Sequence, residues 1–155
     1  MSNKPYIAPS VILPNETGQI VDLKNFRPNP IVLFFYPRDN TSGCTREAKD
    51  FTEKLNLFDK AKVNIFGISK DSIESHKKFK NKYKFPFDLL SDEDLKIIKT
   101  FKAWGEKKLF GKKYMGVKRT TILINKKLKI MKIWNNVKVK GHVDEVLDYL
   151  KKTKK

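Results

Sequence analysis

The chain has 155 residues, enough for one domain with a real core, and its 39% hydrophobic and 12% aromatic content excludes a disordered protein. Lys and Arg number 34 against 17 acids, a net charge of +17 that invites a nucleic-acid reading. One Cys and two His exclude a disulfide scaffold, a paired-cysteine redox motif and a multi-cysteine zinc site.

The charge is carried by 30 Lys and only four Arg: Arg27, Arg38, Arg46 and Arg119. Phosphate and base-edge recognition favours the planar, bidentate guanidinium, so the scattered Lys read as solvated surface with no specific nucleic-acid partner. Lys151, Lys152, Lys154 and Lys155 form a basic tail. The cysteine usage points to a reducing compartment, the cytoplasm. Pro5, Pro9 and Pro14 interrupt the N-terminal apolar residues, and the longest apolar run falls far short of the roughly 20 residues of a membrane span. Without repeats or linkers, residues 1–155 read as a single domain.

In chain order, Gln19–Leu23 follows a turn at residues 15–18 and reads as a hairpin strand. Ile31–Tyr36 is a continuous β-branched and aromatic run, a strand buried on both faces. Ala48, Phe51, Leu55 and Phe58 recur at helical spacing and predict one helix from near Cys44 to Asp59. Val63–Ser69 is a second buried strand, and Ser72–Tyr83 an exposed, Lys-rich helix ended near Pro86. Phe87–Leu90 is a short strand. Ser91-Asp-Glu-Asp94 opens another helix with acids in its first turn. Trp104–Val117 is a loop or a ribbon, Thr120–Ile124 and Ile130–Trp134 are a strand pair, and Val143–Leu150 is an amphipathic helix. The order implies an α/β fold, a mixed β-sheet with helices on both faces.

The segment between the first buried strand and its helix holds the chemistry. A lone Cys is most often a small buried hydrophobe, but Cys44 begins a helix at the carboxyl end of a buried strand, where reacting groups gather in open α/β sheets. Unpaired N–H groups and the positive end of the helix dipole favour its thiolate. Gly43 lets backbone approach a small substrate, and Pro37 stiffens the loop. The Thr41 hydroxyl suits either an ordinary N-cap or a contact to a polar oxygen.

Pro37-xxx-Thr41-xx-Cys44 resembles the PxxxTxxC motif of the peroxiredoxins, and residues 35–48 resemble its version in the bacterioferritin comigratory protein, or PrxQ, subfamily. Residues 67–72, 75–79, 86–92, 104–107 and 119–124 follow that subfamily's order, so the likeness covers nearly the whole chain. The resemblance implies a thioredoxin-like fold and a thiol-dependent peroxidase without metal or organic cofactor. It further implies Cys44 as the peroxide-reacting cysteine, with Pro37, Thr41 and Arg119 completing the site. Hydrogen peroxide and small alkyl hydroperoxides are the implied substrates, and the implied assembly is a monomer.

In one respect the chain departs from that pattern. Many members carry a resolving cysteine five residues after the first; Lys49 stands there, and no second Cys exists. The sulfenic acid formed on Cys44 then needs an external thiol: thioredoxin, a glutaredoxin or glutathione. The rival readings are a non-catalytic redox-sensing or binding module on a thioredoxin fold, and a basic nucleic-acid-binding protein. Arg46 and Glu47 fit either a supporting role or an exposed helix face. His76 and His142 read as solvated surface, Trp104 and Trp134 as core or loop anchors, and Asp92, Glu93 and Asp94 as a helix start.

Overall fold

Side chains alternate across a strand, so an unbroken apolar strand needs cover on both faces. Strand β4 (Ile31–Phe35) meets that requirement in the computed structural model, which describes residues 6–153. Ile31, Leu33 and Phe35 enter one hydrophobic core, while Val32, Phe34 and the following Tyr36 enter the other. Pro5, Lys154 and Lys155 lie outside the described residues.

Around β4 the sheet has the order β1-β10-β9-β4-β5-β6. Strands β5 (Asn64–Ser69) and β6 (Asp88–Ser91) run parallel to β4. On the other side β9 (Thr120–Ile124), β10 (Lys129–Trp134) and the short β1 (Tyr6–Ile7) pair antiparallel. The sheet is mixed, as expected. One face is covered by α1 (Ser42–Glu53), α2 (Leu55–Lys60), α3 (Ile73–Tyr83) and α5 (His142–Thr153), which supply Phe51, Phe58, Phe79 and Val146. The other face is covered by α4 (Lys96–Thr100) and by the hairpin of β2 (Ile12–Pro14) and β3 (Ile20–Asp22). No helix among the described residues is long and apolar enough to cross a membrane.

Four expectations change. The helix expected from Cys44 to Asp59 is two helices broken at Lys54. The Thr52 hydroxyl donates to the Ala48 carbonyl at 2.8 Å, a back-bond that bends helices. The new direction seats Phe58 against Phe51 with ring centres 5.7 Å apart. The helix expected at Ser91–Asp94 starts only at Lys96, because β6 runs on through Ser91 to pair with Ser69. Asp92 instead reaches forward, its Oδ2 accepting from the Ile98 N–H at 2.7 Å.

Neither histidine is at the surface. His76 lies on the buried side of α3 and is fully enclosed. His142 opens α5 and is also buried, its Nε2 2.7 Å from the Thr121 hydroxyl and its Nδ1 3.1 Å from Glu145. Burial holds the His142 imidazole below its usual range, partly offset by Glu145. In both cases a polar group inside the fold needs a partner, and the imidazole supplies it.

Trp104–Val117 is a ribbon: β7 (Trp104–Leu109) and β8 (Lys112–Val117) pair through a two-residue turn at Phe110 and Gly111, both at positive φ.

Space in the aromatic core is set by Gly67 on β5. A Cβ there would meet Phe34 Cζ at 2.9 Å, Leu89 Cδ2 at 3.0 Å and Tyr36 Cε1 at 3.1 Å. Phe34 cannot yield, because its ring stacks on Phe51 at 4.8 Å and meets Phe87 edge-on at 5.6 Å. Gly67→Ala is expected to destabilise the protein by about 1–3 kcal/mol, the range of overpacking substitutions, as read by chemical denaturation.

Candidate active site

The last residues of β4 lead into a loop, residues 36–41, that delivers the chain to the first turn of α1. Thr41 takes the N-cap position with extended backbone (φ −88°, ψ 159°), but its side chain does not cap the helix. Its hydroxyl donates back to the Arg38 carbonyl at 3.1 Å, so it contacts a polar oxygen, one belonging to its own loop, and does not act as a side-chain N-cap. The first i→i−4 bond runs from the Thr45 N–H to the Thr41 carbonyl. The N–H groups of Ser42, Gly43 and Cys44 therefore have no partner within the helix, and they project from its positive end.

Cys44 sits in this turn and is only 1% exposed, packed in the core beneath α1. Arg119, just ahead of β9 and 75 residues away in the chain, donates from Nη2 to the Cys44 sulfur at 3.4 Å. Its Nη1 donates to Glu47 Oε1 at 2.8 Å. Glu47 is one helical turn beyond Cys44, so one guanidinium bridges two groups on the same face of α1. Gly43 serves this bridge: a Cβ there would stand 3.1 Å from Arg119 Nη2. Its small size makes room for the arginine, a use the sequence reading had assigned to substrate approach.

Glu47 is buried, resolving the two readings weighed for it, whereas Arg46 is exposed and pairs loosely with Asp50 at 3.8 Å. Burial pushes the Glu47 carboxyl up to about 7 against the opposing pull of Arg119. Its second oxygen is buried and has no hydrogen-bond partner among the described residues. Burial works against the Arg119 cation too, but Glu47 and Cys44 together outweigh it and raise its value. Lys107, on β7, adds a half-buried cation whose charge is felt by Arg119 and whose Nζ donates to the Val117 carbonyl at 3.0 Å. Nothing in the sequence distinguishes it from the other lysines.

Of the four expected site residues, Cys44 and Arg119 are in direct contact. Pro37 is half-buried and Thr41 exposed at the mouth of the loop. Lys49, at the position where many relatives of the subfamily carry a second cysteine, is exposed, its ammonium 5.0 Å from the centre of the Tyr83 ring. Three possible metal-ligating atoms, from Asp39, Asp71 and His76, lie within 4.8 Å of one another. Tyr36, Ser69, Ser75 and Leu90 already engage them in hydrogen bonds.

Comparison with known proteins agrees with this geometry. Residues 6–133 match the model of the AhpC/TSA family. The chain is 46% identical over 144 residues to peroxiredoxin Bcp of Bacillus subtilis, covering 93% of this chain and 92% of that one. It is 38% identical over 145 residues to peroxiredoxin Bcp of Escherichia coli, covering 94% and 93%. Among solved structures, a Xanthomonas campestris bacterioferritin comigratory protein, studied for alkyl peroxide reduction, superposes with a TM-score of 0.86 at 38% identity, covering 92% of this chain and 90% of that one. The chain belongs to the AhpC/TSA family and is a thiol-dependent peroxidase of the peroxiredoxin class, with a thioredoxin-like fold.

Proposed function

We propose that Cys44 is the residue that attacks peroxide and that Arg119 is its principal partner, with Thr41 and Pro37 shaping the approach. The observation that carries this reading is the Arg119 Nη2–Cys44 Sγ hydrogen bond at 3.4 Å, made in the first turn of a helix whose leading N–H groups have no partner within the helix. Hydrogen peroxide and small alkyl hydroperoxides are the substrates, the second supported by the alkyl peroxide reduction of the Xanthomonas campestris protein. The protein works as a single-domain monomer in the cytoplasm.

The Cys44 thiolate attacks the nearer peroxide oxygen in line with the O–O bond. The S–O bond forms as the O–O bond breaks, sulfur gives up two electrons, and the leaving oxygen takes a proton to depart as water or an alcohol. Arg119 and the N–H groups of the first turn donate to the charge that builds on the departing oxygen. Cys44 is left as a sulfenic acid.

With one cysteine in the chain, the electrons for return come from outside. A first external thiol condenses with the sulfenic acid, releasing water and leaving a mixed disulfide. A second thiol attacks that disulfide, leaves with the first as an external disulfide and restores Cys44. Thioredoxin, a glutaredoxin or glutathione can supply both. At 1% exposure the sulfur admits a small peroxide more readily than a protein thiol, so the reductive half of the cycle requires the first turn of α1 to open.

In a peroxide-consumption assay with excess dithiothreitol, Cys44→Ser is expected to abolish turnover, and only protein with Cys44 gains one oxygen in intact mass. Arg119→Met is expected to slow oxidation by roughly 10²–10³-fold, the effect of removing a donor aimed at developing charge. Persistent turnover in the serine variant would overturn the reading.

Glu47 gives a pH test of the bridge. Its folded value of about 7 lies above its ordinary 4.5, so the neutral form favours the folded state. That contribution is complete below about 4.5 and is lost as the pH rises through about 7. Relative to Glu47→Gln, the unmodified protein is expected to lose on the order of 3 kcal/mol across this window, read by urea unfolding at a series of pH values. A constant difference between the two proteins would remove Glu47 as the buried proton acceptor.

A further inference from the structure

The loop that leads into Cys44 is pinned at a residue the peroxide chemistry does not use. Asp39 lies between Pro37 and Thr41 and is buried. The Tyr36 hydroxyl donates to its Oδ1 at 2.6 Å, the Ser75 hydroxyl donates to its Oδ2 at 2.8 Å, and His76 Nδ1 stands 2.7 Å from the same Oδ2. Its backbone N–H donates to Asp71 Oδ2 at 2.8 Å, which also receives the Ser69 hydroxyl at 2.6 Å.

The other imidazole nitrogen, Nε2, lies 3.0 Å from the Leu90 carbonyl oxygen. A carbonyl oxygen only accepts, so Nε2 carries a hydrogen. Nδ1 can then approach a carboxyl oxygen at 2.7 Å only if a further proton lies in that contact. Whether it rests on nitrogen or on oxygen, the result is one short, buried hydrogen bond bracketed by two hydroxyl donors.

Helix α3 also grips the next residue. Asn40 Oδ1 accepts from Lys82 Nζ at 3.4 Å and from the Tyr83 hydroxyl at 3.3 Å, and Asn40 itself is held at φ 62°, in the left-handed region. Such a conformation persists where the surroundings hold it. Two consecutive loop residues are thus fastened to α3, directly before the N-cap at Thr41 from which the Cys44 turn begins.

We infer that His76, acting through Asp39, is a positioning residue for the peroxidase reaction: their contact holds residues 37–41, and through them the first turn of α1, in the arrangement that reacts with peroxide, and it limits how readily that turn opens to the external thiol. The inference rests on the reading of Cys44 as the peroxide-reacting residue.

Two substitutions separate the contacts of the imidazole. The side-chain amide of Asn reaches the place of Nδ1, so His76→Asn keeps a donor to Asp39. That of Gln reaches the place of Nε2, so His76→Gln keeps the bond to Leu90 and gives up Asp39. Oxidation by hydrogen peroxide and reduction of the sulfenic acid by dithiothreitol are measured separately by stopped flow on the full chain.

His76→Asn is expected to oxidise within about threefold of the unmodified rate and His76→Gln at least about tenfold more slowly, the scale of a displaced reacting group. Reduction in His76→Gln is expected to be unimpaired or faster. A purely structural role lowers thermal stability without moving the two half-reactions in opposite directions. Oxidation of His76→Gln at the unmodified rate, or an equal fall in both variants, overturns the inference.

Should His76→Gln fail to fold, Ser75→Ala decides, since it removes one donor to Asp39 without opening the core. A slower oxidation with reduction unimpaired supports the inference, and two unchanged half-reactions overturn it. Cys44→Ser, run alongside, separates the two levels: peroxide loss in that variant sinks the reading of Cys44, whereas an inert Cys44→Ser beside an unaffected His76→Gln sinks the positioning role alone.

Discussion

The guanidinium of Arg119 stands between a buried sulfur and a buried carboxyl, and the site depends on how that single charge is shared. Removed from water, a carboxylate is expensive unless it is paired, and Glu47 is paired on one oxygen only. The fold therefore carries a strained acid beside Cys44. What Glu47 contributes in return is direction: with Nη1 engaged, Nη2 is aimed at Cys44. A lysine could supply the charge but not two fixed donors diverging from one plane. In a chain with 30 Lys and four Arg, this is the position where the difference between them matters.

That bridge explains the local architecture. Cys44 and Glu47 share a face because they are three residues apart on α1, and Gly43 keeps the same turn bare enough for the arginine to lie across it. Arg119 arrives from the start of β9, which is antiparallel to β4, and β4 delivers the loop that begins α1. Strand pairing between Phe35 and Thr120 thus sets the distance from guanidinium to sulfur. The sheet is the ruler and α1 is what it measures against.

Periodicity and composition made the frame legible because both are local. The run Ile31–Phe35 shows its two-sided burial in its own residues, and the spacing around Cys44 carries the motif whole. The break at Lys54 was not legible, because the apolar spacing of Ala48, Phe51, Leu55 and Phe58 stays helical across it. The start of α4 was missed because acids suit a helix N-terminus in general, while here β6 runs on through Ser91, directly ahead of those acids. Glu47, His76 and His142 were misjudged or left undecided for a further reason. Each is polar on a helix with charged neighbours, and each is buried by a partner 72, 37 or 21 residues away. No window along the chain contains such a pair.

With Cys44 as the proposed peroxide-reacting residue, its enclosure turns the lone cysteine into a demand on motion. A second cysteine nearby would let the chain draw its own sulfenic acid out of the core by forming an internal disulfide. With Lys49 at the usual place, the driving force for opening has to come from the incoming thiol or from the intrinsic tendency of the first turn to fray. A turn that frays too easily misplaces the sulfur for peroxide, and one that never frays strands it as sulfenic acid, exposed to further oxidation. On that reading, the rigidity of residues 37–41 is a compromise between two half-reactions. It is met by tying the loop to α3 through hydrogen bonds, which break and remake, instead of through covalent or purely apolar contacts.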